Sequence, residues 1–282
     1  SGSSSVVNKY IHRHHKAATL YPLVCFHAGS YQCDMRFITQ HLARIKDDPS
    51  AVWVYMGDGG ECVTKLSKGD VYGQVLPPQQ QMECLIDLLS PIAGKGWFGI
   101  QGNHGHRIYK ETGLDFDQNL MTALRLPYLG TAAMANLVVG RSSYDLYFHH
   151  GIDSGTSIRA KVSKAEEFAR FVDADAIFTA HSHVAMQIPL PPLLSADNVQ
   201  QQVRTKMRTG YICGCAYDSR TGYAEDKGYP PLTPALLSVK FDGRVIRGRA
   251  QLGQECVVYR SQCDYELTHE YAAEYLGRGI HG

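Results

Sequence analysis

Residue types that bind metals recur in this chain directly after short apolar runs. They are His27, Asp58, Asn103-His104, His149-His150 and His181-Ser182-His183. A single buried histidine is usually a satisfied core residue, so each cluster alone is weak evidence. Strand ends in an open α/β sheet converge on one edge, however, and these clusters follow successive strand-like runs. A carboxylate, an amide oxygen and several imidazoles gathered there would form a mixed shell suited to Zn, Mn or Fe.

The elements that must position these residues can be recognised from hydrophobic spacing. Apolar runs at 23–26, 52–56, 97–100 and 176–179 predict buried strands, and each is followed by one of the clusters. Between the first two runs, Phe37, Ile38, Leu42 and Ile45 recur at helical spacing. The sequence therefore predicts alternating strands and helices, with a candidate ligand after each of these strands.

The pattern changes after residue 185, where short strands separated by loops predominate. Early alternation followed by a strand-rich part predicts a layered α/β sandwich rather than a barrel. The segment 190–202 is rich in Pro, Ser, Asn and Gln and is predicted to be an exposed loop. We expect residues 1–5 to be a tag or linker remnant and residues 6–282 to form a single domain.

Composition narrows the function classes. The 282 residues are 44% hydrophobic and carry a formal net charge of +1, so a general polyanion-binding surface is excluded and any nucleic-acid contact must come from a local patch. No apolar run approaches the roughly 20 residues of a membrane helix. The 8 cysteines do not form paired CxxC motifs, which favours a reduced, cytoplasmic protein.

The ordered motifs resemble the signature of the calcineurin-like metallophosphoesterases. They are Met56-Gly57-Asp58-Gly59-Gly60-Glu61, Gln101-Gly102-Asn103-His104, His150-Gly151 and Ala180-His181-Ser182-His183. The similarity spans residues 21 to about 240 and implies hydrolysis of a phosphate ester within an α/β/β/α sandwich of two mixed β-sheets. Arg107 and the segments 208–211, 223–224 and 228–230 are particularly similar to variants encoded by bacteriophages, which would place the protein in a host cytoplasm.

The resemblance also implies a role for each motif residue. Asp58 would bridge two divalent metals; Asn103, His150 and His181 would hold the second, and His27 and His183 the first. His104 would not be a ligand but would meet the leaving oxygen or a phosphate oxygen. Arg107 would clamp a phosphate, because a guanidinium matches its geometry, although a surface salt bridge is an equal alternative.

The first motif departs from the family, which has Asp-x-His where this chain has Cys25-Phe26-His27. Cys25 could be a thiolate ligand on the same strand face as His27, a buried structural thiol, or a mark of a binding protein without activity. Cysteine here resembles the lariat-debranching branch, an active RNA phosphodiesterase group, and a thiolate would favour Zn or Fe over Mn. Asp34 is a further candidate carboxylate, expected on the following helix. Gly105 stands where the family usually has an acidic residue.

These observations predict a metal-dependent hydrolase with one or two divalent metal ions per chain. A phosphodiesterase acting on nucleic acid or nucleotides is favoured by Cys25 and the phage-like segments. The alternatives are a phosphomonoesterase and a catalytically silent binding module. Basic residues that could contact a polyanionic substrate are Arg159, Lys161, Lys164, Arg204, Lys206 and Arg208.

Overall fold

The computed structural model describes residues 7–12, 16–66, 71–151, 155, 157–197, 200–220, 231–244 and 253–262. The strands are β1 (Val7–His12), β2 (Ala17–Leu23), β3 (Ala51–Tyr55), β4 (Gly96–Gly99), β5 (Ala132–Val139), β6 (Ser142–His149), β7 (Ala176–Thr179), β8 (Ala185–Asp197), β9 (Gln202–Cys215), β10 (Ala235–Asp242) and β11 (Gln254–Arg260). The helices are α1 (Met35–Asp47), α2 (Pro78–Leu89), α3 (Asn103–Thr112), α4 (Phe116–Ala123) and α5 (Ile158–Ala169). Residues 1–5 and the segments 223–224 and 228–230 lie outside the described residues.

The strands connect into a curled mixed sheet with two halves that share β9. Its order is β1-β5-β6-β7-β9-β10-β2-β3-β4, with β8 added on β9 and β11 on β10. The middle of β9 pairs in parallel with β7, whereas its last residues pair antiparallel with β10. The predicted α/β fold with two mixed sheets is confirmed, and β9 is the strand that joins them.

Side-chain alternation on β6 shows how the layers stack. Tyr144, Leu146 and Phe148 are fully buried between the two halves of the sheet, where the ring of Phe148 lies 5.3 Å from that of Phe98 on β4. Tyr147 points the other way and packs against Phe168 of α5, at 5.9 Å between ring centroids. The period-2 pattern therefore fills the space between the sheets on one face and meets a helix on the other.

The segment 190–202 is not the exposed loop that its composition predicts. Residues 190–197 belong to β8, which pairs antiparallel with β9 in a long hairpin, with a register shift between Leu190 and Leu193. Pro191 and Pro192 fall within this irregularity, and β8 pairs with no other strand among the described residues. Proline lacks an N–H donor but is tolerated on an edge strand or at a bulge, so polar and proline-rich composition is misleading here.

Asp34 lies at the start of α1, the helix that follows β2. Asp34 is the N-cap of α1, where Oδ1 accepts a hydrogen bond from the Phe37 backbone N–H at 2.8 Å. Its other oxygen accepts from the Ser261 hydroxyl. Both oxygens have structural partners, so Asp34 is not a metal ligand candidate. Among the described residues, no helix is both long and apolar enough to cross a membrane.

Candidate metal centre

Five candidate ligands lie in loops with an unusual backbone conformation. Cys25, His27, Asp58, His181 and His183 have φ values of 49°, 53°, 55°, 63° and 58°. Non-glycine residues in the left-handed region cost roughly 1–3 kcal/mol each, and such residues cluster where the surrounding structure holds them for function. Of the eight non-glycine residues with positive φ among the described residues, five are candidate ligands that the motifs identified.

The loop after β2 adopts this conformation because it is hydrogen-bonded to the loop after β3. The N–H groups of Cys25 and His27 donate to the carbonyls of Gly57 and Asp58, each at 3.1 Å. The sequence predicts that Cys25 and His27 share one face of a strand. This prediction is wrong, because β2 ends at Leu23. Cys25 and His27 approach one another because the loop turns against its neighbour.

Asp58 and His150 form the most buried part of the cluster. Asp58 Oδ2 lies 2.9 Å from His150 Nε2, and both residues are almost fully buried. His150 Nδ1 lies 2.6 Å from the Met56 carbonyl oxygen, to which it must donate. The contact between Nε2 and Oδ2 lacks the direction of a hydrogen bond, and both atoms are buried without a hydrogen-bond partner. When His150 is neutral, its Nε2 lone pair and Asp58 Oδ2 lie close enough to bind one cation beside them.

The electrostatics of Asp58 agree with this geometry. Burial raises its pKa, but His150 and then His104 outweigh that effect and hold the pKa well below the usual range. Burial lowers the pKa of His150, whereas the Asp58 carboxylate raises it more. Asp58 is thus a carboxylate at neutral pH and can bind a metal without first losing a proton.

His27 and His183 form a second pair of nitrogen atoms. Their Nε2 atoms lie 3.1 Å apart, and Nδ1 of His27 lies 2.8 Å from a carboxylate oxygen of Glu61. Because a carboxylate only accepts, Nδ1 of His27 carries a proton. Burial, with His27 next, lowers the pKa of His183 well below its usual value, so this imidazole is neutral.

Cys25 lies between the two pairs. Its Sγ belongs to one group with His27 and His183 and to another with Asp58 and His150, and within each group the ligand atoms lie within 4.8 Å of one another. Burial raises the pKa of its thiol well above the usual value, with Asp58 adding to the effect. Without a cation Cys25 is a neutral thiol, and a coordinated metal would deprotonate it.

His104 and Arg107 lie beside this cluster on α3. His104 Nδ1 is 2.8 Å from the Glu61 backbone carbonyl, and its Nε2 is 3.1 Å from Nη2 of Arg107. Burial lowers the pKa of His104 to about 4, so it is neutral with the proton on Nδ1. Nη1 of Arg107 is buried without a hydrogen-bond partner. His104 also forms a close group with His27 and Asp58, so its geometry alone does not distinguish a ligand from a non-ligand.

Asn103 and His181 are placed less closely. Asn103 is the first residue of α3, directly before His104, and its side chain is exposed. The ring of His181 lies 5.6 Å from that of His150. The structure thus brings Cys25, His27, Asp58, His104, His150 and His183 into one cluster, with Asn103 and His181 at its border.

The donor set fits divalent metal ions. Carboxylate oxygen, imidazole nitrogen and thiol sulfur atoms lie within 4.8 Å of one another in two groups that share Cys25. Imidazole and thiolate suit Zn or Fe, and imidazole with carboxylate also suits Mn. Cys25, His27 and His183 are placed for one ion, and Asp58 and His150 for another.

Two neighbours of the cluster are not singled out by sequence reasoning. Glu61 stands within a motif that gives it no role, yet it fixes the tautomer of His27. Tyr217 follows β9, and its ring lies 5.1 Å from that of His27 and 5.8 Å from that of His183. The sequence carries a signal for Glu61, as an acidic residue near Asp58, but none for Tyr217.

Structural partners are found for several of the six basic residues, among them Lys164, which pairs with Glu167 at 3.0 Å. Arg208 is buried, and its guanidinium donates to the backbone carbonyls of Ala169, Val172 and Pro191. Lys206 pairs with Asp173 at 2.8 Å. Lys161 does reach the cluster, because its Nζ donates to the carbonyl of Ser182 at 2.7 Å.

No family model and no curated protein sequence matches the chain. Similar solved structures include the calcineurin-like phosphoesterase YfkN from Bacillus subtilis, with a TM-score of 0.43 and 11% identity over 94% of this chain and 97% of that one. A metallophosphoesterase from Sphaerobacter thermophilus gives 0.44 and 13% identity, over 93% of this chain and 94% of that one. A putative 5'-nucleotidase from Staphylococcus aureus has a TM-score of 0.43 and 11% identity, over 93% of this chain and 58% of that one. At these identities and scores, no residue role is transferred to this chain.

Proposed function

We propose that this chain is a metal-dependent hydrolase of phosphate esters. The observation that carries the proposal is the contact of Asp58 Oδ2 with His150 Nε2 at 2.9 Å, in which two buried atoms face each other without a hydrogen bond. A buried carboxylate and a buried imidazole this close are stabilised by a shared proton or by a bound cation. A phosphate ester is the substrate that suits cations bordered by a histidine and an arginine.

The ligands are divided between two positions. His27, His183 and Cys25 would hold the first ion; His150, Asn103 and His181 would hold the second; and Asp58 would contribute to both. When bound, divalent ions polarise a phosphoryl group and make water an effective nucleophile near neutral pH. Because the thiolate of Cys25 is a soft ligand, Zn or Fe is the native metal rather than Mn.

Arg107 and His104 act on the phosphate itself. Arg107 holds a phosphate oxygen through Nη1, which is buried and otherwise lacks an acceptor. His104 keeps its proton on Nδ1, and its Nε2, which accepts from Arg107 Nη2 at 3.1 Å, can take up a second proton once that guanidinium turns to the phosphate. The negative charge of a bound phosphate raises the pKa of a nearby histidine. His104 can then donate this proton from Nε2 to the leaving oxygen.

The substrate is a phosphodiester of a nucleic acid or nucleotide. Cys25 in the first motif supports this choice through its resemblance to the lariat-debranching branch. Lys161, whose Nζ donates to the Ser182 carbonyl between His181 and His183, supplies a positive charge next to the centre. The balanced net charge agrees with local recognition of a substrate rather than general binding of polyanions.

One experiment separates the proposed function from its alternatives. The purified protein is analysed for Zn, Fe and Mn, and its turnover of a chromogenic phosphodiester and a chromogenic phosphomonoester is measured with each metal. Bound metal with faster diester turnover supports the proposal. Faster monoester turnover would make the chain a phosphomonoesterase. Bound metal with neither activity would identify a silent binding module, and absence of metal binding would overturn the centre.

A further inference from the structure

Asp117 on α4 is a buried carboxylate that none of the proposed catalytic steps uses. Its Oδ1 accepts a hydrogen bond from the Tyr55 hydroxyl at 2.7 Å, and its Oδ2 accepts from the Gly102 backbone N–H at 2.9 Å. The side chain is 1% exposed, and burial raises its pKa to about 7. Burying a carboxylate is costly unless it is hydrogen-bonded, so the donors to Asp117 indicate which backbone segments it fixes.

The two partners of Asp117 lead to the two loops that carry Asp58 and His104. Tyr55 ends β3, and its hydroxyl oxygen accepts from the N–H of Gly59, the residue after Asp58. Gly102 directly precedes α3, and the N–H of His104 donates to Asp58 Oδ1 at 2.8 Å. The chain of contacts from Gly59 through Tyr55 and Asp117 to Gly102 therefore closes around the Asp58–His104 pair.

The first turn of α3 has no cap from its own sequence. Gly102 is the N-cap residue and has no side chain to accept the free N–H groups that begin a helix. A Cβ at Gly102 would overlap the backbone N of Asp58, so close contact of the two loops requires glycine there. Asp58 and Asp117 supply the missing acceptors from outside the helix.

Gly105 shows that Asp117 occupies a defined side-chain position. A Cβ added at Gly105 would lie 2.7 Å from Oδ2 and 3.0 Å from Cγ of Asp117. The space that a side chain at position 105 would fill is thus taken by a carboxylate from α4.

We propose that Asp117 is a positioning residue for the metal centre, with a carboxylate that replaces a side chain at position 105 and ties the Asp58 loop to the start of α3. This inference rests on the proposed metal centre but not on the identity of the reaction. Without Asp117, the Gly102 N–H and the Tyr55 hydroxyl lose their common acceptor, and the hydrogen bond from the His104 N–H to Asp58 Oδ1 loses the support of both loops. Outer partners of metal ligands are typically worth tenfold to a hundredfold in metal affinity or activity.

The decisive test moves the carboxylate from one position to the other. Asp117→Ala, Gly105→Asp and the double variant are stripped of metal and titrated with zinc by calorimetry, with melting temperatures and diester turnover recorded alongside. We expect Asp117→Ala to bind zinc about tenfold to a hundredfold more weakly. Gly105→Asp alone should also weaken binding because two carboxylates would share one space. In the double variant, Gly105→Asp should have the opposite effect and strengthen zinc binding relative to Asp117→Ala alone.

Asp115→Ala is the matched control. Asp115 lies on the same turn, caps α4 through the Gln118 N–H at 3.0 Å and accepts from the Tyr128 hydroxyl at 3.0 Å. We expect this variant to lose stability while zinc affinity and turnover stay at the wild-type level. A merely structural Asp117 would behave in the same way as Asp115, with a lower melting temperature and unchanged zinc affinity, and that result would overturn the proposal.

A milder variant covers the case in which Asp117→Ala does not fold. Tyr55→Phe keeps the buried ring but removes the hydroxyl that joins Asp117 to Gly59, and it should weaken zinc binding. Tyr144→Phe removes a buried hydroxyl that donates to the Asp242 carbonyl on another strand, and it should not. Equal zinc affinity in both variants would contradict the proposal. A wild-type protein that binds zinc but hydrolyses neither ester would overturn the proposed function alone, because zinc affinity still tests Asp117.

Discussion

His27 and His183 are separated by 156 residues in the sequence, yet their Nε2 atoms lie 3.1 Å apart. Only one of the two nitrogens can carry a proton at this distance, and Glu61 already accepts the Nδ1 proton of His27. The pair is therefore held by one shared proton or by one cation. Metal binding replaces the proton, so affinity should depend on how firmly Glu61 fixes the His27 ring.

Glu61→Gln should weaken binding of the first metal by about tenfold to a hundredfold, because a neutral amide orients His27 less strongly than a carboxylate. Zinc titration of the metal-free protein measures this effect. Glu83→Gln is the control, since Glu83 is exposed on α2 and accepts a hydrogen bond from the Gln79 side chain. Equal zinc affinity in the two variants would remove Glu61 from the centre.

Asp58→Asn and His181→Ala should each abolish hydrolysis while the fold stays intact. Asp58 contributes its carboxylate to both ion positions, and His181 borders the second. Turnover of a chromogenic diester and circular dichroism of both proteins check this expectation. Asp34→Asn changes an equally buried carboxylate that caps α1 and accepts from Ser261, and this variant should keep its activity. Wild-type turnover in either of the first two variants would refute the site.

His104→Ala should keep its metal but lose about a hundredfold to ten-thousandfold in rate, the usual range for a general acid or charge-stabilising group. Elemental analysis and diester turnover are measured on the same preparation. His104 also stands close to His27 and Asp58, so metal content is the measurement that separates the two roles. Loss of metal together with activity would make His104 a ligand.

Cys25 should set the metal preference. Cys25→Asp replaces a soft ligand by a hard one and should shift optimal activity from Zn or Fe towards Mn, whereas Cys25→Ser should weaken the first ion without unfolding the chain. Activity with the three metals is compared with melting temperatures. Cys213→Ser, which alters another buried thiol, should keep the wild-type ranking. An unchanged ranking in both Cys25 variants would make Cys25 a structural thiol.

His41 should make stability depend on pH, independently of the metal centre. It is fully buried, both of its ring nitrogens lack a hydrogen-bond partner, and burial with Arg44 lowers its pKa to about 3. The unfolded chain takes up the proton near pH 6.5, so folding free energy is lost as pH falls from about 6.5 towards 3. At pH 5 the loss is about 2 kcal/mol.

The matching variant is His41→Phe, because the site is surrounded by the rings of Tyr21, Phe37 and Tyr259. Urea denaturation at about pH 7.5 and about pH 5 measures the unfolding free energy of both proteins. We expect the wild type to lose about 2 kcal/mol more than the variant between these two values. The same loss in both proteins would show that His41 does not titrate in this way.

Much of the local structure is visible in the sequence. Helical spacing of Phe37, Ile38, Leu42 and Ile45 predicts α1, and the apolar runs predict β3, β4 and β7 to within a residue or so. These predictions succeed because period and strand length are properties of neighbouring residues. The hairpin of β8 and β9 escapes prediction because its pairing partner, and not its own composition, makes the segment a strand.

The sequence by itself determined which side chains are available for a metal centre and that they follow strand ends, since both are matters of residue type and order. Only the tertiary structure decided how they meet. The left-handed backbone of Cys25 and His27 depends on hydrogen bonds to another loop, and the carboxylate beside Gly105 comes from α4. Tautomers and pKa values follow from burial and from partners distant in the chain, and no pattern of neighbouring residues carries that information.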